Sequence, residues 1–252
     1  MARAADGQFL LRIEDIDSPR CTPEFEAAIF DDLAWLGLDW PRPVMRQSDR
    51  RPAYDAALAR LAEMGLTYPC SCTRADIRAA LSAPQEGVPA GPDGPIYPGT
   101  CRGRAIETLG PNDAIRLDMA RAARRAGPLS FAETGPARAG QHNITRDRLI
   151  AEAGDIVLAR RDIGTSYHLA VTVDDAAQGI THVVRGQDLF TATPVHVLLQ
   201  RLLDLTTPAY HHHRLIRDEA GRRLAKRDDA RAIRAYRDAG QTPADIRSMI
   251  GL

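Results

Sequence analysis

Of the 33 basic residues in this 252-residue chain only one, Lys226, is a lysine. Lysine is ordinarily among the commonest residues, so a chain that carries a guanidinium almost everywhere and an ammonium once asks for a chemical reason. A guanidinium is a planar fork and an ammonium a compact, mobile point charge. The two exchange freely on a wet surface but not where a single cation must reach a phosphate. Either Lys226 has that role or it is the lysine that chance left. Cys70-Ser71-Cys72 followed by Cys101 offers three thiolates, one short of the four ligands of a closed tetrahedral Zn²⁺ site. No histidine lies between 70 and 101. The fourth ligand is then Tyr97, a carboxylate (Asp76, Glu86 or Asp93) or water, and the alternative is a set of buried free cysteines. Cys21 stands apart and reads as a small packing residue. Arg12, Glu14, Asp15 and Asp17 close an apolar run, where they serve either chemistry at a strand end or the capping of a turn. His211-His212-His213 looks like a metal cluster, but consecutive side chains point in different directions on a regular backbone, which favours a structural or solvated role. Ser166-Tyr167-His168 has no acid nearby in sequence for a triad, and Trp35 and Trp40 are expected in the core.

The elements that must position these residues alternate. Gly7 to Glu14 reads as a largely buried strand that delivers its polar residues at the carboxyl end. A helix follows, with Thr22 as N-cap, Pro23 in its first turn, an apolar stripe of Phe25, Ile29, Leu33 and Leu36, and Gly37 as its stop. A second helix runs from Pro52 to Met64 and ends at Gly65. Short β-like runs occupy Ile156 to Ala159, Tyr167 to Val173 and Thr181 to Arg185, and Thr193-Pro194 opens an apolar helix. This βα alternation predicts an α/β fold with an open parallel sheet that binds ligands at the carboxyl ends of its strands. Between the cysteines, prolines at 84, 89, 92, 95 and 98 and glycines at 87, 91, 94 and 99 cannot build a core of their own, so a metal staple would supply the order that packing cannot.

Composition is that of a globular chain: 44% hydrophobic, 26% charged, net charge zero. Any nucleic-acid contact must come from a local basic face, and Arg214 to Arg237, with nine basic and four acidic residues, is the foremost candidate beside the plainer reading of a solvated helix face. No apolar run approaches the ~18 residues of a membrane span, and no signal-peptide pattern opens the chain. A cytoplasmic protein is expected, without disulfides.

Three segments carry a family resemblance: Phe9-Leu10-Leu11-Arg12-Ile13-Glu14-Asp15-Ile16-Asp17, Trp35-Leu36-Gly37-Leu38-Asp39-Trp40, and Asp174 through Asp188, which includes His182-Val183-Val184-Arg185-Gly186-Gln187-Asp188. Together they resemble the catalytic domain of glutamyl-tRNA synthetases, class I aminoacyl-tRNA synthetases with a Rossmann-type fold, over residues 7 to 230. Arg223-Leu224-Ala225-Lys226-Arg227 resembles the Lys-Met-Ser-Lys-Ser loop of that class. Lys226 falls on its second lysine, which meets the ATP phosphates, while Ala225 stands where serine is usual and Arg223 where lysine is usual. The Cys70-X-Cys72 pair with Tyr97-X-X-X-Cys101 is similar to the zinc site of a short paralogous branch of the family, in which tyrosine is the fourth ligand. Only 26 residues follow Lys226, too few for the helical anticodon-binding region of the longer enzymes.

The resemblance implies a reaction in two steps. Glutamate attacks ATP, used with Mg²⁺, to give glutamyl-adenylate and pyrophosphate, and the acyl group then passes to a hydroxyl of the queuosine base in the anticodon of tRNA(Asp). By the same resemblance Glu14 holds the substrate ammonium, Arg185 the side-chain carboxylate, Tyr167 supplies a hydroxyl and an aromatic wall, and Lys226 stabilises the departing pyrophosphate. The competing reading of Arg185 is an ion pair with Asp188 or Asp174. The implied domains are 1–68, the first part of the Rossmann-type domain; 69–150, an insertion with the zinc site and acceptor-binding region; 151–210, the second half; and 211–252, the phosphate loop with a short helical C-terminal region. A monomer is expected. In the family a strand, an Arg-X-X-Pro-Ser-X-Gly segment and a His-X-Gly-His-like helix start precede the counterpart of Phe9. Residues 1–252 alone are therefore expected to be inactive until upstream residues are restored. Two rival outcomes are a truncated glutamyl-tRNA synthetase and a non-catalytic, zinc-stabilised RNA-binding remnant.

Overall fold

Local punctuation sets most helix ends. The computed structural model describes residues 1–17, 21–81, 90–217, 221, 224 and 232–252. In chain order its elements are β1 (Arg12–Ile13), α1 (Pro23–Trp35), β2 (Met45–Arg46), α2 (Arg51–Glu63), β3 (Thr67–Cys70), α3 (Arg74–Leu81), β4 (Ala90–Gly91), β5 (Gly94–Pro95), β6 (Ala114–Leu117), α4 (Met119–Ala126), β7 (Leu129–Glu133), β8 (Gly140–Ile144), α5 (Arg146–Glu152), β9 (Val157–Ala159), α6 (Tyr167–Ala177), β10 (His182–Gly186), α7 (Thr193–Leu202), β11 (Ala209–His213), α8 (Ile233–Asp238) and α9 (Pro243–Met249). Thr22 and Pro23 open α1 as expected. Gly37 and Gly65 stop α1 and α2 at φ of +75° and +68°, a left-handed conformation that costs glycine nothing.

The chain divides into two units, residues 1–49 with 215–252 and residues 50–214. In the first, β1 pairs in parallel with β2 through two residues on each strand. The expected strand from Gly7 to Glu14 is thus reduced to Arg12 and Ile13, with Phe9 exposed and Leu10 and Leu11 only half-buried. A strand needs a neighbour to take its N–H and C=O groups, and β2 is too short to serve the rest. The expected apolar stripe of α1 is also wetter than its composition implies, with Phe25 and Ile29 exposed. Trp40 stacks on Phe30 at 5.8 Å; it and Trp35 are half-buried.

The second unit holds the main core. In α7, nine of ten residues are buried, the polar Thr193, His196 and Gln200 among them, so the helix lies inside the core with its polar groups enclosed. Leu198 and Leu199 are fully buried there, each contributing about 1.5–3 kcal/mol of burial free energy. The strands do not form one parallel sheet, which corrects the sequence expectation. They make a mixed sheet in the order β10-β11-β7-β8, an antiparallel sheet β3-β6-β9 and a small hairpin β4-β5. β10 runs parallel to β11, and β11 parallel to β7, whereas β7 and β8 are antiparallel. The run from Tyr167 to Val173 is helical rather than extended. Ser166 caps it, accepting from the Leu169 N–H, and a segment buried on nearly all sides has no period by which sequence could tell strand from helix.

Candidate functional site

Register places Arg185. On β10 it lies directly opposite His212 of β11, and Tyr210 lies opposite Glu133 of β7. The strand period of two turns Leu129, Phe131 and Glu133 inward, and Tyr210 and His212 inward while His213 is exposed. The three guanidinium nitrogens of Arg185 are all engaged. Nε donates to His212 Nε2 (3.1 Å), Nη1 to His196 Nδ1 (3.1 Å) and Nη2 to Thr193 Oγ1 (2.8 Å). Beyond these partners, His212 Nδ1 lies 2.5 Å from Glu133 Oε2, His196 Nε2 lies 2.9 Å from His168 Nδ1, and His168 Nε2 lies 3.0 Å from Asp93 Oδ1. Tyr167 meets His168 and His196 edge-on at ring distances of 5.6 and 5.7 Å. Tyr167 and Arg185 thus converge on one imidazole, His196.

The electrostatics follow from burial and these bonds. Burial, then the nearby Arg185 charge, holds His196 well below the ordinary histidine range, and burial also lowers His212 against the pull of Glu133. Burial works against ionisation of Glu133, but hydrogen bonds from the His212 backbone and ring and from the Gly135 N–H bring its carboxyl below the usual value. Gly135 has no room for a side chain, since a Cβ would stand 2.6 Å from Glu133 Oε1. Asp174, fully buried, pairs with Arg50 Nε (3.1 Å) and accepts from Tyr54 Oη (2.6 Å). Sequence reasoning missed Asp93, Glu133 and His196 as members of this cluster. Asp93 is the acid absent near His168 in sequence, and no local signal joins residues 75 positions apart.

A second cluster gathers at the end of β3. Cys70 Sγ and Cys72 Sγ each lie 3.4 Å from Tyr97 Oη, and Cys72 Sγ lies 3.5 Å from Cys101 Sγ. The Cys101 N–H donates to Tyr97 Oη at 2.8 Å. Cys70, Tyr97 and Cys101 are buried, and Arg116 sits over the Tyr97 ring, 3.9 Å from its centroid. Zn–S bonds of about 2.3 Å set tetrahedral sulfurs about 3.8 Å apart, so a few tenths of an ångström of spreading would admit one Zn²⁺. The three thiols and one phenol therefore fit such an ion. Burial opposes ionisation of Cys101, yet hydrogen bonds from Tyr97, the Ser71 backbone and the other cysteines bring it to about 6. Burial raises Cys72 to about 11 and also raises the Tyr97 phenol. A bound divalent cation would override this ordering, because coordinating thiols are deprotonated outright. Cys21 is exposed, contrary to the packing role expected for it.

Glu14 lies in the first unit and accepts from Arg12 Nη2 at 3.1 Å. Asp15 caps a turn, both its oxygens taken by the N–H and hydroxyl of Ser48 at 2.8 and 2.7 Å. Lys226, with Arg223, Ala225 and Arg227, lies outside the described residues.

The chain matches the family of class I tRNA synthetases (E and Q), catalytic domain, over residues 1–93 and 139–252. It belongs to that family and is a ligase of the aminoacyl-tRNA synthetase type. Its relatives are more particular. It is 60% identical over 255 residues to the glutamyl-Q tRNA(Asp) synthetase of Rhodobacter capsulatus, covering 100% of this chain and 91% of that protein. It is 44% identical over 241 residues to the glutamyl-Q tRNA(Asp) synthetase of Geobacter sulfurreducens, covering 94% and 71%. Among solved structures, the glutamate-tRNA synthetase of Elizabethkingia anophelis aligns with a TM-score of 0.66 at 25% identity, over 88% of this chain and 46% of that one. A glutamate tRNA ligase from Elizabethkingia meningosepticum, in complex with its amino acid, aligns at 0.63 with the same identity and coverage. The chain spans just under half the length of these two synthetases.

Proposed function

We propose that this ligase activates glutamate with ATP and transfers the glutamyl group to the queuosine base in the anticodon of tRNA(Asp). The 60% identity across the whole chain to a protein of that name carries the reading. In the first step the substrate α-carboxylate attacks the α-phosphorus of ATP and pyrophosphate leaves. In the second a queuosine hydroxyl attacks the acyl carbon and AMP leaves. Arg185 suits the substrate side-chain carboxylate, because three of its five N–H groups are committed to the protein and two remain for a charge-assisted pair. Tyr167 supplies a hydroxyl and an aromatic wall, Glu14 takes the substrate ammonium, and Lys226 meets the phosphates, with Mg²⁺ accompanying ATP. Cys70, Cys72, Tyr97 and Cys101 hold a structural Zn²⁺ within the 69–150 insertion, which contributes acceptor binding. Residues 1–68 and 151–210 supply the two halves of the catalytic domain, and 211–252 the phosphate loop. The protein acts in the cytoplasm as a monomer; no described helix is long and apolar enough to cross a membrane.

The test is glutamate-dependent exchange of pyrophosphate into ATP without tRNA, followed by transfer of labelled glutamate. Queuosine-containing tRNA(Asp) should accept the label, and tRNA(Asp) lacking the modification should not. Label appearing at the 3′ end of tRNA(Glu) instead would make the protein a conventional glutamyl-tRNA synthetase.

A further inference from the structure

The hydrogen bonds around Arg185 run in one direction, outward from the guanidinium. A guanidinium only donates. His196 Nδ1, which faces Arg185 Nη1 at 3.1 Å, must therefore accept and carries no proton. The neutral ring then has its one proton on Nε2, which donates to His168 Nδ1 at 2.9 Å. His168 in turn is bare at Nδ1 and protonated at Nε2, from which it donates to Asp93 Oδ1 at 3.0 Å. On the other side, Arg185 Nε donates to His212 Nε2, so the His212 proton is on Nδ1 and goes to Glu133. Two one-way chains leave the guanidinium, and each ends on a carboxylate. Burial keeps His196 neutral, as the pattern requires.

Each chain is anchored on a different element. Glu133 closes β7 and is held by two backbone N–H groups, those of His212 (2.9 Å) and Gly135 (2.6 Å). Asp93 sits at the tip of the β4-β5 hairpin, between Gly91 and Gly94, and its carboxylate is half-exposed. Besides His168 it receives the backbone N–H of Val157. His168 and His196 lie on α6 and α7, both almost fully buried. A buried imidazole offered a wrong tautomer would leave an unpaired polar atom, which costs more than the bond itself yields, so each tautomer is enforced along the whole chain.

We propose that the chain from Arg185 through His196 and His168 to Asp93, opposed by the chain through His212 to Glu133, fixes the plane of the Arg185 guanidinium, making His168, His196 and Asp93 positioning residues for glutamate. Asp93 then acts at the substrate through two imidazoles without touching it. The inference rests on Arg185 as the glutamate residue. The side-chain carboxylate is remote from the reacting α-carboxylate, so a loosened guanidinium weakens ground and transition states alike. KM for glutamate should rise and kcat should hold.

The experiment has two arms on the full-length protein. Long-range ¹H–¹⁵N spectra of histidine-labelled enzyme without substrate should show His196 and His168 as the Nε2–H tautomer and His212 as the Nδ1–H tautomer, all neutral at pH 7. His196 protonated on Nδ1, or an imidazolium at His168 or His196, would overturn the proposal whatever the substrate. In exchange kinetics, Asp93→Ala should raise KM for glutamate roughly 5–10-fold, the scale of one lost hydrogen bond, with kcat held. Asp93→Asn, whose amide oxygen still accepts from His168, should recover most of that rise. A fall in kcat at unchanged KM would show a merely structural role and sink the inference. If Asp93→Ala fails to fold, the wild-type tautomers and the Asn variant decide. Arg185→Gln separates the two readings: unchanged glutamate KM there refutes the assignment of Arg185 to substrate, while the tautomer spectrum judges the chain itself.

Discussion

Replacing Asp155 with alanine should cost about 3–5 kcal/mol of folding free energy. Asp155 is 2% exposed and ties three elements together: Oδ2 accepts from the Tyr68 hydroxyl on β3 and from Arg102 Nε (2.8 Å), and Oδ1 from the Met119 N–H that opens α4 (3.0 Å). Alanine would orphan two buried donors, each a bond to a charged acceptor worth about 1.5–3 kcal/mol. The Arg102 side chain is 44% exposed, so solvent screens its pair and it adds no more than about 1 kcal/mol. Water can reach Arg102 but not Tyr68, which is why the estimate rests on the two buried donors. Urea unfolding at pH 7 with an unchanged slope would measure the loss, and the melting temperature should fall on the order of 10 °C. Asparagine, which keeps one acceptor oxygen, should lose less. A loss below about 1 kcal/mol for the alanine variant would refute the claim that this carboxylate ties β3 to the start of α4.

Three further outcomes are expected. Protein isolated without chelators should contain about one zinc per chain, and Cys72→Ser should abolish it; elemental analysis that finds none in the wild type removes the metal from the proposal. In the full-length protein, Lys226→Ala should lower the rate of glutamate-dependent exchange roughly 10²–10³-fold with little change in glutamate KM, the scale for one preorganised donor, and equal rates there would show that the lone lysine is incidental. Stability should fall as pH drops below about 6.5: the unfolded chain takes up protons there that His196 and His212, both depressed by burial, refuse, and each adds up to about 1.4 kcal/mol per pH unit to the slope. Glu133 and Asp93, held below their usual values, contribute stability that is present above their unfolded pKa values and is lost only in a more acidic range. His196→Asn should flatten the slope between pH 7 and 5.5, and an identical slope in both proteins would count against a buried neutral imidazole.

How far the chain could be read alone depended on the distance over which each feature is decided. Thr22-Pro23, Gly37, Gly65 and Thr193-Pro194 announced helix ends correctly because caps and left-handed turns are settled by neighbours in the chain. The Cys70, Cys72, Tyr97 and Cys101 set was legible too. Two of its thiols share one strand end, and the resemblance named the tyrosine that the structure brings within 3.4 Å of two sulfurs. Tyr167 to Val173 was misread because a buried segment shows no period. The single parallel sheet was misread because pairing is chosen by partners far away: β6 lies between β3 and β9, and β11 lies between β10 and β7. The surroundings of Arg185 were beyond the sequence for the same reason. His168 meets Asp93 across 75 positions and His212 meets Glu133 across 79, distances over which composition carries no signal. Residue types, then, determined which groups were available to bind a metal or a carboxylate. Strand register and helix packing alone decided which imidazole faces which donor, because a hydrogen bond is specified by ångströms and angles that only the folded chain sets.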